Sequence, residues 1–200
     1  MLVIGLTGPS GAGKGTVAKL FASYGLPVLN ADEIYHQLLL PPSACLDELA
    51  ERFGSQILTA EKTLDRRALA KIVFSSKEDL LDLNRIAHRY VMDEVRNQLD
   101  LLRQQNTVAA VFDAPQLFEA GAERDCNVIV SVLADPELRM ERIMRRDGID
   151  KETASSRINA QYNDLFFRTH SDYVIENNDS AEHLIPVVRR ILTEMGVLRT

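Results

Sequence analysis

The sequence predicts an α/β fold in which a five-stranded parallel sheet lies between two layers of helices. Three observations predict it. Short apolar, β-branched runs recur along the chain, helical patterns separate them, and a glycine-rich turn joins the first run to the first helix. Runs as apolar as these are typical of parallel strands, which helices cover on both faces. The five runs are residues 2–7, 27–29, 108–112, 128–132 and 173–175.

A phosphate-binding loop follows the first run. Residues 8–16, Gly-Pro-Ser-Gly-Ala-Gly-Lys-Gly-Thr, match the pattern G-x-x-x-x-G-K in the strand–turn–helix setting that this motif needs. Glycines let the backbone wrap an anion, and the helix N-terminus adds a favourable dipole. Lys14 can reach the outer phosphates of a nucleoside triphosphate as a point charge. The residues expected around the phosphates are Gly8, Gly11, Ala12, Gly13, Lys14, Gly15 and Thr16.

The loop departs from the common pattern at one position. Gly15 stands where a Ser or Thr usually places a hydroxyl on magnesium, and Thr16 comes one residue later. Either Thr16 or a water molecule is therefore expected to replace that hydroxyl. The string GPSGAGKGT is similar to the loops of adenylate and cytidylate kinases. Nucleoside monophosphate kinase is therefore one candidate activity for this chain.

A helical block separates the second and third runs. Residues 43–105 contain no clear strand, and apolar residues at helical spacing predict a long helix over about 77–103. Pro41 and Pro42 mark a break before the block. The block is expected to form an inserted lobe that could receive the phosphate acceptor.

Composition excludes several classes of function. The 200-residue chain is 46% hydrophobic, enough for one compact core, and its net charge of -6 argues against nonspecific nucleic-acid binding. No apolar stretch approaches the ~20 residues that span a membrane, and no signal peptide is visible at the N-terminus. Cys45 and Cys126 lack metal-type spacing and are expected to be reduced thiols of a cytoplasmic protein. The four histidines form no zinc pattern.

Two aspartates follow predicted strands, where ligands of parallel sheets bind. Asp113 ends the third run, like the acidic residue that assists magnesium in phosphate-loop enzymes; alternatively it is a cap or turn residue before Pro115. Asp32 follows the second run and could accept the proton of an acceptor hydroxyl. It could equally be the N-cap of the next helix.

Arginines cluster on the predicted helix after residue 135. Arg139, Arg142 and Arg146 share one helical face, and Asp147-Gly148 ends the helix. Guanidinium groups can stabilise the negative charge of a transferring phosphoryl group, and a mobile helical flap would exclude water. The alternative is a solvated charged face, which we expect for Arg139 and Arg145, whereas Arg142 and Arg146 are expected to be functional.

The chain resembles the dephospho-coenzyme A kinase family over nearly its whole length. The resemblance rests on the order and spacing of several short strings rather than on one motif. They are residues 5–16 with the loop, Ala-Asp-Glu-Ile at 31–34, 64–69, 83–88, 117–121, 141–148, 160–161 and 172–177.

The resemblance implies a P-loop three-layer fold and one kinase domain over residues 1–200. It implies a core of 1–40, 106–135 and 170–200, a helical acceptor lobe of about 41–105 and a helical lid of about 136–169. The implied reaction moves the γ-phosphoryl group of ATP to the ribose 3′-hydroxyl of 3′-dephospho-CoA, with Mg2+, in a cytoplasmic monomer or weak homo-oligomer. The implied catalytic residues are Asp32 as base, Lys14 and Arg142. Arg142, Arg146 and Asn177 would bind ATP, His88 and Phe118 the acceptor, and Thr16 and Asp113 the metal.

Other departures from the family pattern concern the acceptor. His36 stands where an arginine is frequent, Arg89 replaces a common proline, and Gln116 lies in a string that is usually more apolar. His36 and Gln116 could alter acceptor binding. A non-catalytic ATP-binding module is the alternative of another class, and the presence of Asp32 and Asp113 speaks against it.

Overall fold

A computed structural model describes residues 1–198 of the chain. Five strands form one parallel sheet in the order β2-β3-β1-β4-β5, which confirms the predicted fold class. The strands are β1 (Leu2–Thr7), β2 (Val28–Asn30), β3 (Ala109–Asp113), β4 (Val128–Leu133) and β5 (Tyr173–Glu176). Each of the five apolar runs in the sequence therefore forms a strand.

Helices fill the connections between the strands. Within residues 1–198 they are α1 (Lys14–Ser23), α2 (Ala31–Leu38), α3 (Ala44–Phe53), α4 (Arg66–Val73), α5 (Lys77–Gln104), α6 (Pro136–Asp147), α7 (Lys151–Asn159), α8 (Asp164–His170) and α9 (Ala181–Glu194). Several begin at a side chain that accepts a hydrogen bond from the first turn, which is the usual role of Ser, Asp and Asn at an N-cap. These caps are Asn30, Ser43, Asp65, Asp150 and Asn163.

The chain divides into two compact units, Met1–Leu29 with the chain from Leu102 onwards, and Asn30–Leu101. In the first unit, α1 and α9 bury apolar side chains against one face of the sheet, with Phe21, Val111 and Val188 in the cluster. On the other face α8 packs against β4 and β5, and Ser131 is hydrogen-bonded to Ser171 at 2.6 Å. Helices thus cover both faces, as the apolar strands require.

The second unit is largely helical and has its own core. α3, α4 and α5 bury a cluster that includes Leu49, Phe53, Leu69 and Ile86. Apart from Asn30, the last residue of β2, strand-like pairing in the described part of this unit is limited to an isolated bridge between Leu58 and Leu64. The division of the chain into a core, an acceptor lobe and a lid stays a prediction, because it assigns each part a role in substrate binding.

The parallel register sets which side chains meet at one edge of the sheet. Leu6 of β1 lies opposite Asp113 of β3, and Thr7 lies opposite Ser131 of β4. The carboxyl ends of three adjacent strands therefore reach the same edge, and the phosphate loop leaves β1 at that edge. None of the helices among residues 1–198 combines the length and apolar character needed to cross a bilayer.

Candidate nucleotide site

The phosphate loop connects β1 directly to α1, which begins at Lys14. A Cβ atom at Gly8 would lie 2.2 Å from the Val132 carbonyl oxygen, so the loop passes too close to β4 for any side chain. Gly13 adopts a left-handed conformation with φ of 91° immediately before the helix. The first N–H groups of a helix have no partners within it, so this geometry supplies an anion site at the start of α1.

Lys14 and Asp113 form an ion pair beside the loop. The Lys14 Nζ atom contacts the Asp113 Oδ1 atom, and Asp113 is the last residue of β3 with 2% of its surface exposed. Asp113 is not the N-cap of a described helix, which removes one of the two structural alternatives, and its role at the metal stays a prediction. A buried carboxylate needs a partner, and the lysine ammonium supplies it.

Three consecutive loop carbonyls each accept a hydrogen bond from a side chain far away in the sequence. The pairs are Arg139 Nε to Ser10 O at 3.1 Å, Arg142 Nη1 to Gly11 O at 3.3 Å, and Asn177 Nδ2 to Ala12 O at 2.7 Å. The loop is thus held through three of its carbonyl groups by side chains of α6 and of the residue after β5.

Arg139 corrects the expectation drawn from the sequence. It was expected on a solvated face, but its side chain is 3% exposed and its Nη1 atom lies 3.1 Å from Asp164 Oδ1. Burial lowers the pKa of the Arg139 guanidinium, and Asp164 acts in the opposite direction. Arg145, by contrast, is exposed as expected. The face shared by Arg139, Arg142 and Arg146 is the one that meets the loop.

Arg146 lies at the exposed end of that face. Its Nη2 atom is 3.4 Å from the Ser10 hydroxyl, and its guanidinium donates two hydrogen bonds to Asp147 at 2.7 and 2.9 Å. The hydrogen bond from Arg146, with the nearby charges of Arg146 and Arg157, lowers the pKa of Asp147 to about 2. Asp147 also accepts from Arg157 of α7, so this carboxylate joins two helices of the region predicted as a lid.

Asn177 follows β5 and lies against the loop. Its side chain is buried, and a Cβ atom at Gly13 would lie 2.0 Å from its Nδ2 atom. The structure places this amide on the loop backbone, and its predicted contact with ATP stays a prediction.

Only two side chains, those of Asp113 and Thr16, are predicted as ligands of the metal. Asp113 offers a buried carboxylate, and Thr16 is exposed near the start of α1. Within the described residues no group of three or more His, Cys, Asp or Glu side chains could hold a metal ion. One carboxylate and one hydroxyl fit Mg2+, which keeps several waters and binds substrate phosphates through few protein ligands.

Phe118 belongs to an aromatic cluster of the first unit. Its ring lies edge-on to Phe166, with centroids 5.1 Å apart, and 6.0 Å from the rings of Phe167 and His170. Phe166 also stacks on Tyr162 at 3.8 Å. Phe167 is buried.

Asp32 and His88 belong to the second unit. Asn30, not Asp32, is the N-cap of α2, because its side-chain oxygen accepts from the Asp32 and Glu33 N–H groups at 2.9 and 3.0 Å. The Asp32 side chain is exposed, and within residues 1–198 its carboxylate makes no hydrogen bond or ion pair. His88 lies half-buried on α5.

Sequence reasoning missed Gln161, which contacts the loop, and Asp164, which contacts Arg139. Gln161 accepts a hydrogen bond from the Ser10 N–H at 2.9 Å, and Asp164 holds Arg139. The helical spacing of the α6 arginines was a usable signal for Arg139, because it placed that residue on the face of Arg142 and Arg146. No local pattern marked Asp164.

Comparison with known proteins identifies the family. The family described as dephospho-CoA kinase matches residues 2–183. A relative of that name from Syntrophotalea carbinolica is 40% identical over 182 residues, which cover 91% of this chain and 86% of the relative. Another from Corynebacterium glutamicum is 35% identical and covers 98% of both chains.

Solved structures also resemble this chain. TT1252 from Thermus thermophilus has a TM-score of 0.82 with 32% identity over 97% of both chains, and the Campylobacter jejuni dephospho-CoA kinase has 0.72 with 26% over 96% of both. Shikimate kinase from Acinetobacter baumannii shares the fold, with a TM-score of 0.55, 19% identity and coverage of 98% of this chain and 93% of its own. The phosphate loop, Asp113 and the α6 arginines all lie within the matched residues, and the chain belongs to the dephospho-CoA kinase family.

Proposed function

We propose that this chain transfers the γ-phosphoryl group of ATP to the ribose 3′-hydroxyl of 3′-dephospho-CoA, giving CoA and ADP, the last step of coenzyme A biosynthesis. The observation that carries the proposal is a phosphate loop whose carbonyls are hydrogen-bonded by distant side chains, next to the Lys14–Asp113 ion pair. The chain that contains it matches this kinase family from residue 2 to residue 183.

The loop would hold the triphosphate. Its backbone N–H groups and the start of α1 favour negative charge, and Lys14 would leave Asp113 to contact the outer phosphates. Asn177 would support the loop beside them. The full set proposed for ATP is Gly8, Gly11, Ala12, Gly13, Lys14, Gly15, Thr16, Arg142, Arg146 and Asn177.

Mg2+ is the metal we propose for the reaction. Asp113, once released by Lys14, and the Thr16 hydroxyl would hold it, directly or through water. When bound, the ion would neutralise charge on the phosphate oxygens. Gly15 leaves room for this arrangement, since a Cβ atom there would meet nothing within 4 Å.

Asp32 is proposed as the base that orients the acceptor hydroxyl and accepts its proton. Its carboxylate is exposed and is not used as a helix cap, so it is available to a substrate. We assign acceptor contacts to His88 and Phe118 on the basis of the family resemblance.

Arg142 and Arg146 are proposed to stabilise the charge that develops on the transferring phosphoryl group. Arg142 makes one long hydrogen bond to the loop and Arg146 is exposed, so both can turn towards a bound nucleotide. Guanidinium groups suit this task because their planar donors match phosphate oxygens. The reaction then depends mainly on positioning and electrostatics.

An acceptor competition tests the proposed function. The purified chain is incubated with Mg-ATP and equal concentrations of 3′-dephospho-CoA, AMP, CMP and UMP, and ADP release is followed for each. We expect 3′-dephospho-CoA to be phosphorylated in strong preference, at the 3′-hydroxyl as identified by mass spectrometry and NMR. Preference for a monophosphate would overturn the assignment, and ATP binding without transfer to any acceptor would favour a non-catalytic module.

We further propose that the chain works as a cytoplasmic monomer or weak homo-oligomer on these small molecules. The net charge of -6 supports small-molecule substrates over nucleic acid as partners of the chain. Sedimentation equilibrium over a range of concentrations tests the monomer, and a stable dimer at low concentration would contradict it.

A further inference from the structure

Ser10, near the tip of the phosphate loop, is held on both of its backbone polar groups. Its N–H donates to Gln161 Oε1 at 2.9 Å, and its carbonyl accepts from Arg139 Nε at 3.1 Å. Gln161 lies just after α7 and Arg139 lies on α6. A single loop residue is therefore fixed by side chains more than 120 positions away in the sequence.

Arg139 is itself fixed at a second point. Its Nη1 atom lies 3.1 Å from the carboxylate of Asp164 in the first turn of α8, and its side chain is 3% exposed. The planar guanidinium thus spans two partners, the loop and α8. It cannot turn towards a ligand without breaking its hydrogen bonds to the Ser10 carbonyl and the Asp164 carboxylate, which are the partners of a buried guanidinium.

The backbone of α6 also lies against the loop. A Cβ atom at Gly11 would lie 2.6 Å from the Arg139 carbonyl oxygen, and Gly11 has a φ of +80°. Gly11 therefore packs against the backbone of α6, and Ser10 is held by the Arg139 side chain. Movement of Arg139 would be transmitted directly to the loop.

The other two arginines on this face are more exposed than Arg139. Arg142 is half-buried and makes one 3.3 Å hydrogen bond to Gly11 O. Arg146 has a side chain that is 60% exposed, and its hydrogen bonds to Asp147 lie at the surface. The three arginines of one helical face thus divide into two that reach solvent and one that is buried between the loop and α8.

We propose that Arg139, held by Asp164, is a positioning residue that keeps the phosphate loop in its nucleotide-binding conformation before the nucleotide arrives. It acts through Ser10 and does not touch the phosphates. The inference rests on the proposed function in that the loop's ligand is taken to be ATP. It adds a residue outside the proposed ATP-binding set, together with the carboxylate that orients it.

The test compares Arg139→Gln and Asp164→Asn with the wild type. Arg145→Gln is the matched control, because Arg145 lies on the same helix but is exposed. Calorimetry measures ATP and ADP affinity, and hydrogen exchange measures protection of residues 8–16 without nucleotide. We expect Arg139→Gln to weaken ATP and ADP binding equally, by about tenfold, which corresponds to about 1.4 kcal/mol.

The same variant should show faster exchange in the nucleotide-free loop. Asp164→Asn should act in the same direction with a smaller effect, and Arg145→Gln should match the wild type. In steady-state assays the KM for ATP should rise, while the KM for 3′-dephospho-CoA stays unchanged. This split distinguishes loop positioning from a general loss of folded protein.

Two results would overturn the inference. A much larger loss for ATP than for ADP, with unchanged loop exchange, would mean that Arg139 contacts the γ-phosphate. Unchanged affinities in a variant that melts at lower temperature would mean a purely structural role. If Arg139→Gln does not fold, the same measurements on Arg139→Lys and Asp164→Asn test the positioning role of Arg139. These readouts need no acceptor, so inactivity of the wild type on 3′-dephospho-CoA would reject the proposed function alone.

Discussion

Residues 8–16 and residues 30–33 both link a strand to a helix, yet their polar groups are satisfied in different ways. In the loop, three successive carbonyls accept hydrogen bonds from side chains of α6 and the end of β5. At 30–33, Asn30 caps the helix by itself, and the Asp32 carboxylate is left exposed without a partner among residues 1–198.

The difference separates two tasks. The loop is fixed by protein contacts, so the cost of ordering it is met on folding and does not weaken nucleotide binding. The proposed base is left open to solvent, so a bound acceptor must orient it. Changes around the loop should therefore alter ATP affinity, and changes at Asp32 should alter turnover.

The largest effect is expected from Asp32→Asn. Removing the proposed proton acceptor should lower kcat by about 10²–10⁴-fold, the usual contribution of general base catalysis, while ATP affinity stays unchanged. Stopped-time assays and calorimetry measure the two quantities. Glu33→Gln, the exposed neighbour in the same helical turn, is the control and should retain wild-type turnover. An unimpaired Asp32→Asn enzyme would remove Asp32 as the base.

Lys14→Met should lower kcat/KM for ATP by roughly 10²–10³-fold, because a charge that stabilises the transferring phosphoryl group is lost. It also leaves the buried Asp113 carboxylate without its ammonium partner, so the free energy of unfolding should fall by ~3 kcal/mol. The double variant Lys14→Met/Asp113→Asn should recover stability but not activity. Denaturant unfolding and kinetics test both points, and recovery of activity would argue against the role of Lys14.

Asn177→Ala should weaken nucleotide binding by about tenfold, since the Ala12 carbonyl loses its buried donor. Asn178→Ala is the control, because Asn178 pairs with Asp135 instead of the loop. Calorimetry with ATP and GTP separates two roles. Equal losses for both nucleotides indicate loop support, and a loss confined to ATP would indicate a contact with adenine.

Gly15→Ser should change kcat by no more than about twofold, because a water-mediated contact is nearly as favourable as a direct one. A Cβ atom at position 15 would meet nothing within 4 Å, so we expect the loop to accept the serine without rearrangement. Activity is measured against Mg2+ concentration. A lower half-saturating concentration would show that the hydroxyl binds the metal, and an unchanged curve would show that it is dispensable here.

The smallest effect concerns Asp147. Its pKa of about 2 lies below its ordinary value of 3.8, so its contribution to stability is present above about pH 3.8 and is lost as the pH falls towards 2. Arg146→Gln should raise this pKa towards 3.8, as followed by carboxyl-carbon NMR. The pKa of Asp150 is lowered by hydrogen bonds that its carboxylate accepts from Thr153, and this pKa should not change in the variant. An unchanged Asp147 pKa in Arg146→Gln would contradict the assignment of its low pKa to the hydrogen bond from Arg146.

The strands and the site were predictable to different degrees. The five apolar runs became the five strands, and helix α6 ended at Asp147-Gly148, because backbone periodicity and caps are local properties. The burial of Arg139 was not predictable in the same way. An arginine between Glu137 and Glu141 on an amphipathic helix has the composition of a solvated face, and only packing against the loop reversed that expectation.

The sequence by itself determined the phosphate loop, the order of strands and helices, and the resemblance to a kinase family, since each depends on residues close together in the chain. Only the tertiary structure decided which polar groups satisfy one another. Lys14 meets Asp113 across 99 positions, and Asn177 meets Ala12 across 165. Such partners are set by strand order and by the need to satisfy buried polar groups, and neither leaves a local pattern.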